Sequence, residues 1–178
     1  MGAMIPPRGI RHLVVLLASG VGIACATSAQ RAGPAALDAS AAAAITDSVR
    51  TFAADLARGV THDGPGAWRA YFAATPAFFM ASEGRLVFPS SDSAGRAIQT
   101  LERTIAHIEL RWGDGLRVDP LAPGLAVLAA PYHEVRVDRA GHQVDETGFF
   151  TGLAEHRGGA WRLRNAHWSV ATPPPPVP

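Results

Sequence analysis

The stretch that decides the fold is residues 155–169, which reads Glu-His-Arg-Gly-Gly-Ala-Trp-Arg-Leu-Arg-Asn-Ala-His-Trp-Ser. Gly158 and Gly159 supply the two positive-φ positions that a tight two-residue turn requires, so residue 156 is expected opposite 161 and residue 150 opposite 167. Glu155 then faces Arg162 across the hairpin as a favourable charge pair. Alternation along the second strand predicts one face with Trp161, Leu163, Asn165, His167 and Ser169, and another with Arg162, Arg164, Ala166, Trp168 and Val170.

Upstream of this hairpin, the spacing of apolar residues predicts three helices. The first helix is expected to begin after a cap at Asp38 or Ser40 and to end near Gly59. The second is expected to begin at Pro65 and to stop at Pro76. The third is expected to begin after a cap at Asp92 or Ser93. A short hairpin is expected around Glu83-Gly84, with Phe78-Phe79 packed under the first helix. After His107 only strands are expected, over residues 107–112, 125–137, 144–156 and 160–171. Helices followed by strands favour an α+β domain whose helices cover one face of a curved antiparallel sheet.

The ending Gly-X-Trp-Arg-(apolar)-X-X-X-His-Trp-Ser, here residues 159–169, resembles the terminal hairpin of the SnoaL-like branch of the nuclear transport factor 2-like superfamily. The resemblance covers roughly residues 39–171. It implies a cone-like half barrel, with three N-terminal helices on a curved antiparallel sheet and a pocket between them. The superfamily includes isomerases, dehydratases, polyketide cyclases and members without known activity, so the fold alone does not choose a function.

The amino-terminal sequence has the pattern of an export signal. An apolar run over residues 13–23 follows basic residues and is too short for a membrane-spanning helix. Cys25 occupies the place of the acylated cysteine of a bacterial lipoprotein, although Gly22 departs from the apolar residue usual at that position. The alternative is ordinary cleavage after Ala26 or Ala29. Either reading predicts a periplasmic or extracellular protein, with a membrane contact only through a lipid on Cys25.

Composition divides the chain into four parts. Residues 1–26 are the expected signal peptide, and residues 27–38 are a tether of Ala, Ser, Gly, Pro and Gln that cannot bury enough apolar area to order itself. The resemblance assigns residues 39–172 to a SnoaL-like domain, and residues 173–178 are expected to form a proline-rich tail. The net charge of +1, from 16 basic and 15 acidic residues, gives no electrostatic reason to expect a nucleic-acid partner.

The loop after residue 138 decides which side chains share the concave face. A four-residue loop pairs 138 with 143, whereas a three-residue loop pairs 138 with 142 and places Glu134 against Glu146, a like-charge contact that destabilises. The first register is therefore expected. It turns His133, Glu146, Asn165 and His167 into the pocket.

Two histidines and a carboxylate in a partly apolar pocket are suited to proton abstraction and return. His167 or His133 is then the expected catalytic base, with Glu146 orienting it. The expected ligand contacts are Asn165, Phe150, Trp161 and Ser169. The alternative is that Glu146 and Asn165 only satisfy buried histidines as hydrogen-bond partners. No metal or other cofactor is expected, since no His-Glu-X-X-His pair occurs.

The opposite face of the sheet is expected to be the outer one. It would carry the Arg136 and Asp145 pair beside an aromatic row of Tyr132, Phe149 and Trp168. Proteins rarely leave such a row exposed to water, so a homodimer through this face is expected, with coverage by the C-terminal tail as the alternative.

Three functions follow from these expectations. The leading one is an exported domain that binds an unknown small, partly apolar molecule, with no assured catalysis. The second is a lyase or isomerase acting by histidine-based proton transfer, and the third is a structural or protein-interaction module whose cavity is filled by Trp161, Phe150 and Trp112. An enclosed volume of about 300 Å³ or more would favour ligand binding.

Overall fold

The computed structural model describes residues 37–171. The expected signal peptide, the tether up to residue 36 and the proline-rich tail lie outside these residues. Among the helices that are described, none is both long and apolar enough to cross a membrane.

The described chain contains three helices and seven strands. In order they are α1 (Ala39–Asp63), a 3-10 turn (Pro65–Ala67), α2 (Trp68–Tyr71), β1 (Phe79–Ser82), β2 (Arg85–Phe88), α3 (Ser91–Thr104), β3 (Ile105–Trp112), β4 (Arg117–Ala122), β5 (Leu125–Asp138), β6 (Gln143–Arg157) and β7 (Ala160–Val170). This arrangement confirms the predicted α+β class, with helices packed on an open sheet.

The helix boundaries follow local chemistry, with two corrections. Asp38, one of the two predicted caps, accepts a hydrogen bond of 2.7 Å from the Ala41 amide and so caps α1. Gly59 does not end α1. A Cβ at Gly59 would overlap the Tyr71 hydroxyl, so this glycine provides space where α2 packs against α1. The cap of α3 is Ser90, in a reciprocal capping box with Ser93, rather than Asp92 or Ser93.

The sheet has the strand order β2-β1-β7-β6-β5-β3, and β4 pairs with β5. All pairs are antiparallel except β1 with β7, which run parallel, so the sheet is mixed rather than wholly antiparallel as predicted. Strand β4 was not predicted from the sequence, and it contains Pro120. A proline is tolerated there because β4 pairs with β5 alone.

The core lies between the helices and the concave face of the sheet. Val49, Phe52, Leu56 and Val60 form the buried stripe of α1, and they belong to the same cluster as buried residues of β5, β6 and β7. Of the aromatic pair predicted under α1, Phe78 is fully buried and Phe79 is 45% exposed. The apolar spacing of α1 predicts a stripe of Ile45, Val49, Phe52 and Leu56; the last three are buried, and Ile45 is half-buried. The aromatic pair is split between the two sides of the sheet.

Candidate functional site

The register of β5 against β6 is the shorter-loop register, which was not the expected one. Glu134 lies opposite Glu146, and Tyr132 lies opposite Gly148. The loop is closed by the Asp138 carboxylate, which accepts hydrogen bonds from the amides of Ala140 at 2.8 Å and His142 at 2.9 Å. These bonds favour the shorter loop, and the expected pairing of 138 with 143 is wrong.

A β-bulge reverses the faces of β7 in its second half. Next to the Gly158-Gly159 turn the predicted register holds, and Glu155 lies opposite Arg162. The predicted charge pair is replaced, since Glu155 lies 3.9 Å from Arg164 and Arg162 donates to the Ala70 carbonyl. The register then shifts between Leu153 and Ala154, and beyond it Phe150 lies opposite Trp168 instead of residue 167. One extra residue, Arg164, separates the two registers. Because side chains alternate along a strand, a single extra residue exchanges the two faces.

The predicted histidine site is therefore not assembled. His167 is exposed, and His133 lies on the outer face, the side of the sheet turned away from the helices, with its Nε2 2.7 Å from Asp145 Oδ1. Asn165 donates to the Ala77 carbonyl, and the Ser169 hydroxyl donates to the Phe149 carbonyl. The prediction that His133, Glu146, Asn165 and His167 meet in the pocket is wrong, since only Glu146 faces inward.

The predicted aromatic row of the outer face is also dispersed. Tyr132 is 3% exposed, and its ring lies 4.7 Å from that of Trp168 on the concave side. Phe149 alone keeps its predicted place and is 46% exposed. Arg136 pairs in register with Val144 instead of Asp145, and its side chain turns toward the cavity.

A cavity of about 360 Å³, partly open to solvent, lies between the concave face, the second and third helices and the β1–β2 hairpin. Most of its wall is apolar, with contributions from Trp68, Phe72, Met80, Ile98, Ile108 and Trp168. Trp161 is not part of this wall, since its indole N–H donates to Ser48 of α1. Phe150 is fully buried and packs against the ring of Trp168.

The charged groups of the cavity form one polar cluster with the Tyr132 hydroxyl, and its members are Tyr132, Glu134, Arg136 and Glu146. The first three are spaced two residues apart along β5, so their side chains lie on the same face of the sheet. Tyr132 Oη donates to Glu146 Oε1 at 2.9 Å, and Arg136 Nη2 donates to Glu146 Oε2 at 3.1 Å. Arg136 Nε also lies 3.2 Å from Glu134 Oε1. Arg136 thus contacts two carboxylates, and both oxygens of Glu146 accept a hydrogen bond.

Glu134 is the most deeply buried charged residue of the polar cluster, with 8% of its surface exposed. Burial raises the pKa of its carboxyl; the Arg136 guanidinium opposes this rise, and the charge of Glu146 adds to it. Within the part of the chain that the structure describes, its carboxyl accepts no hydrogen bond, and its polar contact is the ion pair with Arg136. Burial also raises the pKa of the Tyr132 hydroxyl, as does its hydrogen bond to Glu146. Burial in the cavity therefore favours the protonated form of the Glu134 carboxyl relative to a carboxyl in water.

Gly148 makes room for the polar cluster. A Cβ at this position would lie 2.7 Å from Tyr132 Cε1 and would overlap the Ser169 carbonyl oxygen. The glycine thus lets the Tyr132 ring lie over β6. Tyr132, Glu134 and Arg136 were not predicted as site residues from the sequence. Their spacing of two residues along one strand indicates that they share one face of the sheet. The register expected for the hairpin of β5 and β6 placed that face outside, so they were not recognised as site residues.

No group of three or more metal-ligating side chains with suitable geometry occurs within residues 37–171. The acidic groups of the polar cluster are instead joined by a guanidinium.

The sequence matches no family model and no curated protein. The fold does match solved structures. One is a nuclear transport factor 2-like superfamily protein from Salmonella enterica serovar Typhimurium, with 15% identity, a TM-score of 0.56 and coverage of 75% of this chain and 93% of that one. A second is a nuclear transport factor 2-like protein of unknown function from Shewanella oneidensis, with 15% identity, a TM-score of 0.54 and coverage of 69% and 97%.

A third similar structure is a hexachlorocyclohexane dehydrochlorinase, with 12% identity, a TM-score of 0.56 and coverage of 74% of this chain and 89% of that one. Identities this low establish a shared architecture and nothing finer. The function has to be argued from the residues of the cavity.

Proposed function

We propose that this chain, which has the nuclear transport factor 2-like fold, binds a small, mostly apolar molecule in the cavity between its helices and its sheet. The observation that carries the proposal is that the charged groups lining the cavity form one polar cluster, while most of the remaining wall is apolar. Such a lining holds an apolar body and orients it by one polar end.

The size of the cavity indicates the size of the molecule. A volume of about 360 Å³ equals the share of about 12 water molecules in the liquid, which suits a ligand of about ten to twelve non-hydrogen atoms. The structural alternative required a cavity filled by Trp161, Phe150 and Trp112. Trp112 and Phe150 instead lie against Trp168, with ring centroids 5.9 and 4.6 Å from it, and the space beside Trp168 stays open.

A cavity-filling variant tests this proposal. Leu101 lines the cavity, so Leu101→Trp should occupy it, whereas Leu121, which is 53% exposed and lies outside the cavity lining, supplies the control Leu121→Trp. We expect phenylbutanol to bind the wild type and Leu121→Trp equally, and Leu101→Trp at least about tenfold more weakly, in isothermal titration calorimetry. Equal binding by all three would place the ligand elsewhere, and binding by none would refute the proposal.

A second function that we propose for the same cavity is proton transfer, as in a lyase or an isomerase. It is favoured by a buried carboxyl, Glu134, whose pKa is raised by burial. The Glu134 carboxylate would take a proton from carbon, and the electron pair would move into an adjacent carbonyl or expel a leaving group. Glu134 thus replaces His167 and His133 as the base. One structurally similar protein is by name a dehydrochlorinase, so elimination is chemistry that this architecture accommodates.

Hydrogen exchange into a ketone tests the proton transfer. Benzylacetone has 11 non-hydrogen atoms, and its protons beside the carbonyl exchange with deuterium oxide at a rate that proton NMR follows. We expect the protein to accelerate this exchange above buffer, and Glu134→Gln to abolish the acceleration. Glu109, which lies on the outer face opposite Val135, supplies the matched control Glu109→Gln. No acceleration by the wild type would leave binding as the sole function.

We further propose that the protein is exported, because of the amino-terminal pattern around Cys25, which lies outside the described residues. Fractionation of cells and sequencing of the mature amino terminus test this. Recovery of the intact chain in the cytoplasm would contradict export, and a Cys25→Ser variant that stays in the membrane fraction would contradict the lipid anchor.

A homodimer through the outer face is also proposed, now centred on Phe149, which was predicted there, and on Phe79, which was not. Phe149 is 46% and Phe79 is 45% exposed, and both lie on this face, since Phe79 pairs with Asn165 and Phe149 with Ser169. Burial of both rings against a second copy would remove apolar area from water. Sedimentation equilibrium of the wild type and of Phe149→Glu tests this, with a shift from dimer to monomer expected for the variant.

A further inference from the structure

We infer that the polar end of the molecule bound in the cavity is an organic ammonium group, held between the carboxylates of Glu134 and Glu146 and the ring of Trp168. This inference rests on the proposed binding function and specifies the chemical class of its ligand. It is carried by the balance of charges, the distribution of hydrogen bonds and the position of the aromatic rings around the polar cluster.

The charges of the polar cluster do not balance. Two carboxylates share one guanidinium: Arg136 contacts Glu134 through Nε at 3.2 Å and Glu146 through Nη2 at 3.1 Å. When both carboxyls are ionised, one negative charge is left over in a largely apolar cavity. A buried charge without a counter-charge is costly, so a cationic ligand is the partner that this cluster lacks.

The distribution of hydrogen bonds in the polar cluster also favours a cationic ligand. Glu146 has donors on both oxygens, from Tyr132 and Arg136. Glu134 is 8% exposed and accepts no hydrogen bond among the described residues. The carboxylate oxygens of Glu134 are therefore able to accept hydrogen bonds from a ligand. An ammonium group brings up to three N–H donors and no acceptor, which suits those oxygens.

Aromatic rings stand beside the carboxylates. The ring of Trp168 lies 4.7 Å from that of Tyr132, whose hydroxyl binds Glu146, and 5.8 Å from that of Trp68 on the opposite wall. Both tryptophans line the cavity. Trp provides the strongest cation–π attraction among side chains, especially where water is excluded. An ammonium group near Glu134 would thus meet negative charge and aromatic rings together.

Other polar ends fit less well. A carboxylate would meet two carboxylates, and the guanidinium of Arg136 is already engaged by both. A hydroxyl could donate one hydrogen bond but would leave the excess charge. Burial raises the pKa of Glu134 in the empty cavity, and a bound cation would lower it again, because a nearby positive charge favours the ionised form.

Three ligands of matched shape test the inference: phenylbutylamine, phenylbutanol and phenylbutanoate. At neutral pH they carry a positive, no and a negative charge, since alkyl ammonium groups have a pKa near that of lysine, about 10.4. Isothermal titration calorimetry with the purified protein should give a Kd for the amine at least about tenfold below that of the alcohol, with the carboxylate weakest. This comparison needs no variant and is unaffected by folding defects.

Isosteric variants then assign the selectivity to the polar cluster. Glu134→Gln and Glu146→Gln should each weaken amine binding by about tenfold and change alcohol binding by less than about twofold, whereas Glu109→Gln should change neither. If the alcohol binds as tightly as the amine, or if both glutamine variants keep the selectivity, the ammonium inference is overturned while the binding function stands. If none of the three ligands binds, the binding function fails together with the inference.

Discussion

Glu134 lies directly opposite Glu146 on the neighbouring strand, and Arg136 contacts both carboxylates. A like-charge pair at such a position ordinarily destabilises a sheet. Here a guanidinium two residues along β5 offsets the repulsion, and Tyr132 donates a further hydrogen bond to Glu146. The strand register and the polar cluster of the cavity are therefore two aspects of the same arrangement.

Removal of the guanidinium should destabilise the protein. In Arg136→Met the two carboxylates would face each other without a cation between them, so we expect a loss of about 2 kcal/mol in the free energy of unfolding, below the buried-pair range because Arg136 is one-third exposed. Urea denaturation at neutral pH measures this. The double variant Arg136→Met, Glu134→Gln should recover part of the loss, and a double variant less stable than the single one would contradict the charge argument.

The stability of the protein should depend on pH through Glu134. Burial raises the pKa of Glu134 in the folded chain above its ordinary value of 4.5, so the folded state binds this proton more tightly than the unfolded state. The contribution of Glu134 to stability is therefore full below pH 4.5 and decreases as the pH rises through the raised pKa.

Glu134→Gln isolates this effect, because an amide imitates the protonated carboxyl and does not titrate. We expect the wild type to lose stability relative to Glu134→Gln as the pH increases over that range. Urea denaturation of both proteins at a series of pH values gives the difference. A wild type that gains stability relative to the variant over the same range would show that the pKa of Glu134 is lowered instead.

Two glycines should respond to alanine in opposite directions. In Gly148→Ala the new Cβ would meet Tyr132 Cε1 and the Ser169 carbonyl oxygen, so we expect a loss of about 2 kcal/mol. Gly95 lies within α3, and a Cβ added there would have open space within 4 Å, so Gly95→Ala should gain about 0.5 to 1 kcal/mol from helix propensity. Thermal denaturation compares them, and equal effects would contradict the close contact at Gly148.

Neighbouring residues of β7 should differ sharply in their contribution to stability. Trp168 contacts the rings of Trp112, Tyr132 and Phe150, so Trp168→Ala should cost about 3 kcal/mol or more. His167 is exposed, and His167→Ala should change stability by less than about 0.5 kcal/mol. Chemical denaturation distinguishes them. A larger loss for His167→Ala would mean that the bulge does not set the faces of the strand in solution.

Local sequence patterns predict much of the fold. The pair Gly158-Gly159 has positive φ at both residues and forms the predicted turn, Glu83-Gly84 does the same, and Asp38 caps α1. Apolar spacing in α1 correctly identified the buried stripe. Each of these features depends on residues within a few positions of one another, so the sequence alone was sufficient for the α+β class and for the order of the elements other than β4.

The composition of the cavity was decided by tertiary structure. The sequence alone placed the histidines inward, but the short loop closed by Asp138 shifted β5 by one residue relative to β6, and the bulge at Arg164 shifted the second half of β7. Because side chains alternate with a period of two, a shift of one residue exchanges the buried and exposed faces. The energies that choose the register come from contacts across strands, such as those of Arg136, and local sequence patterns do not contain them.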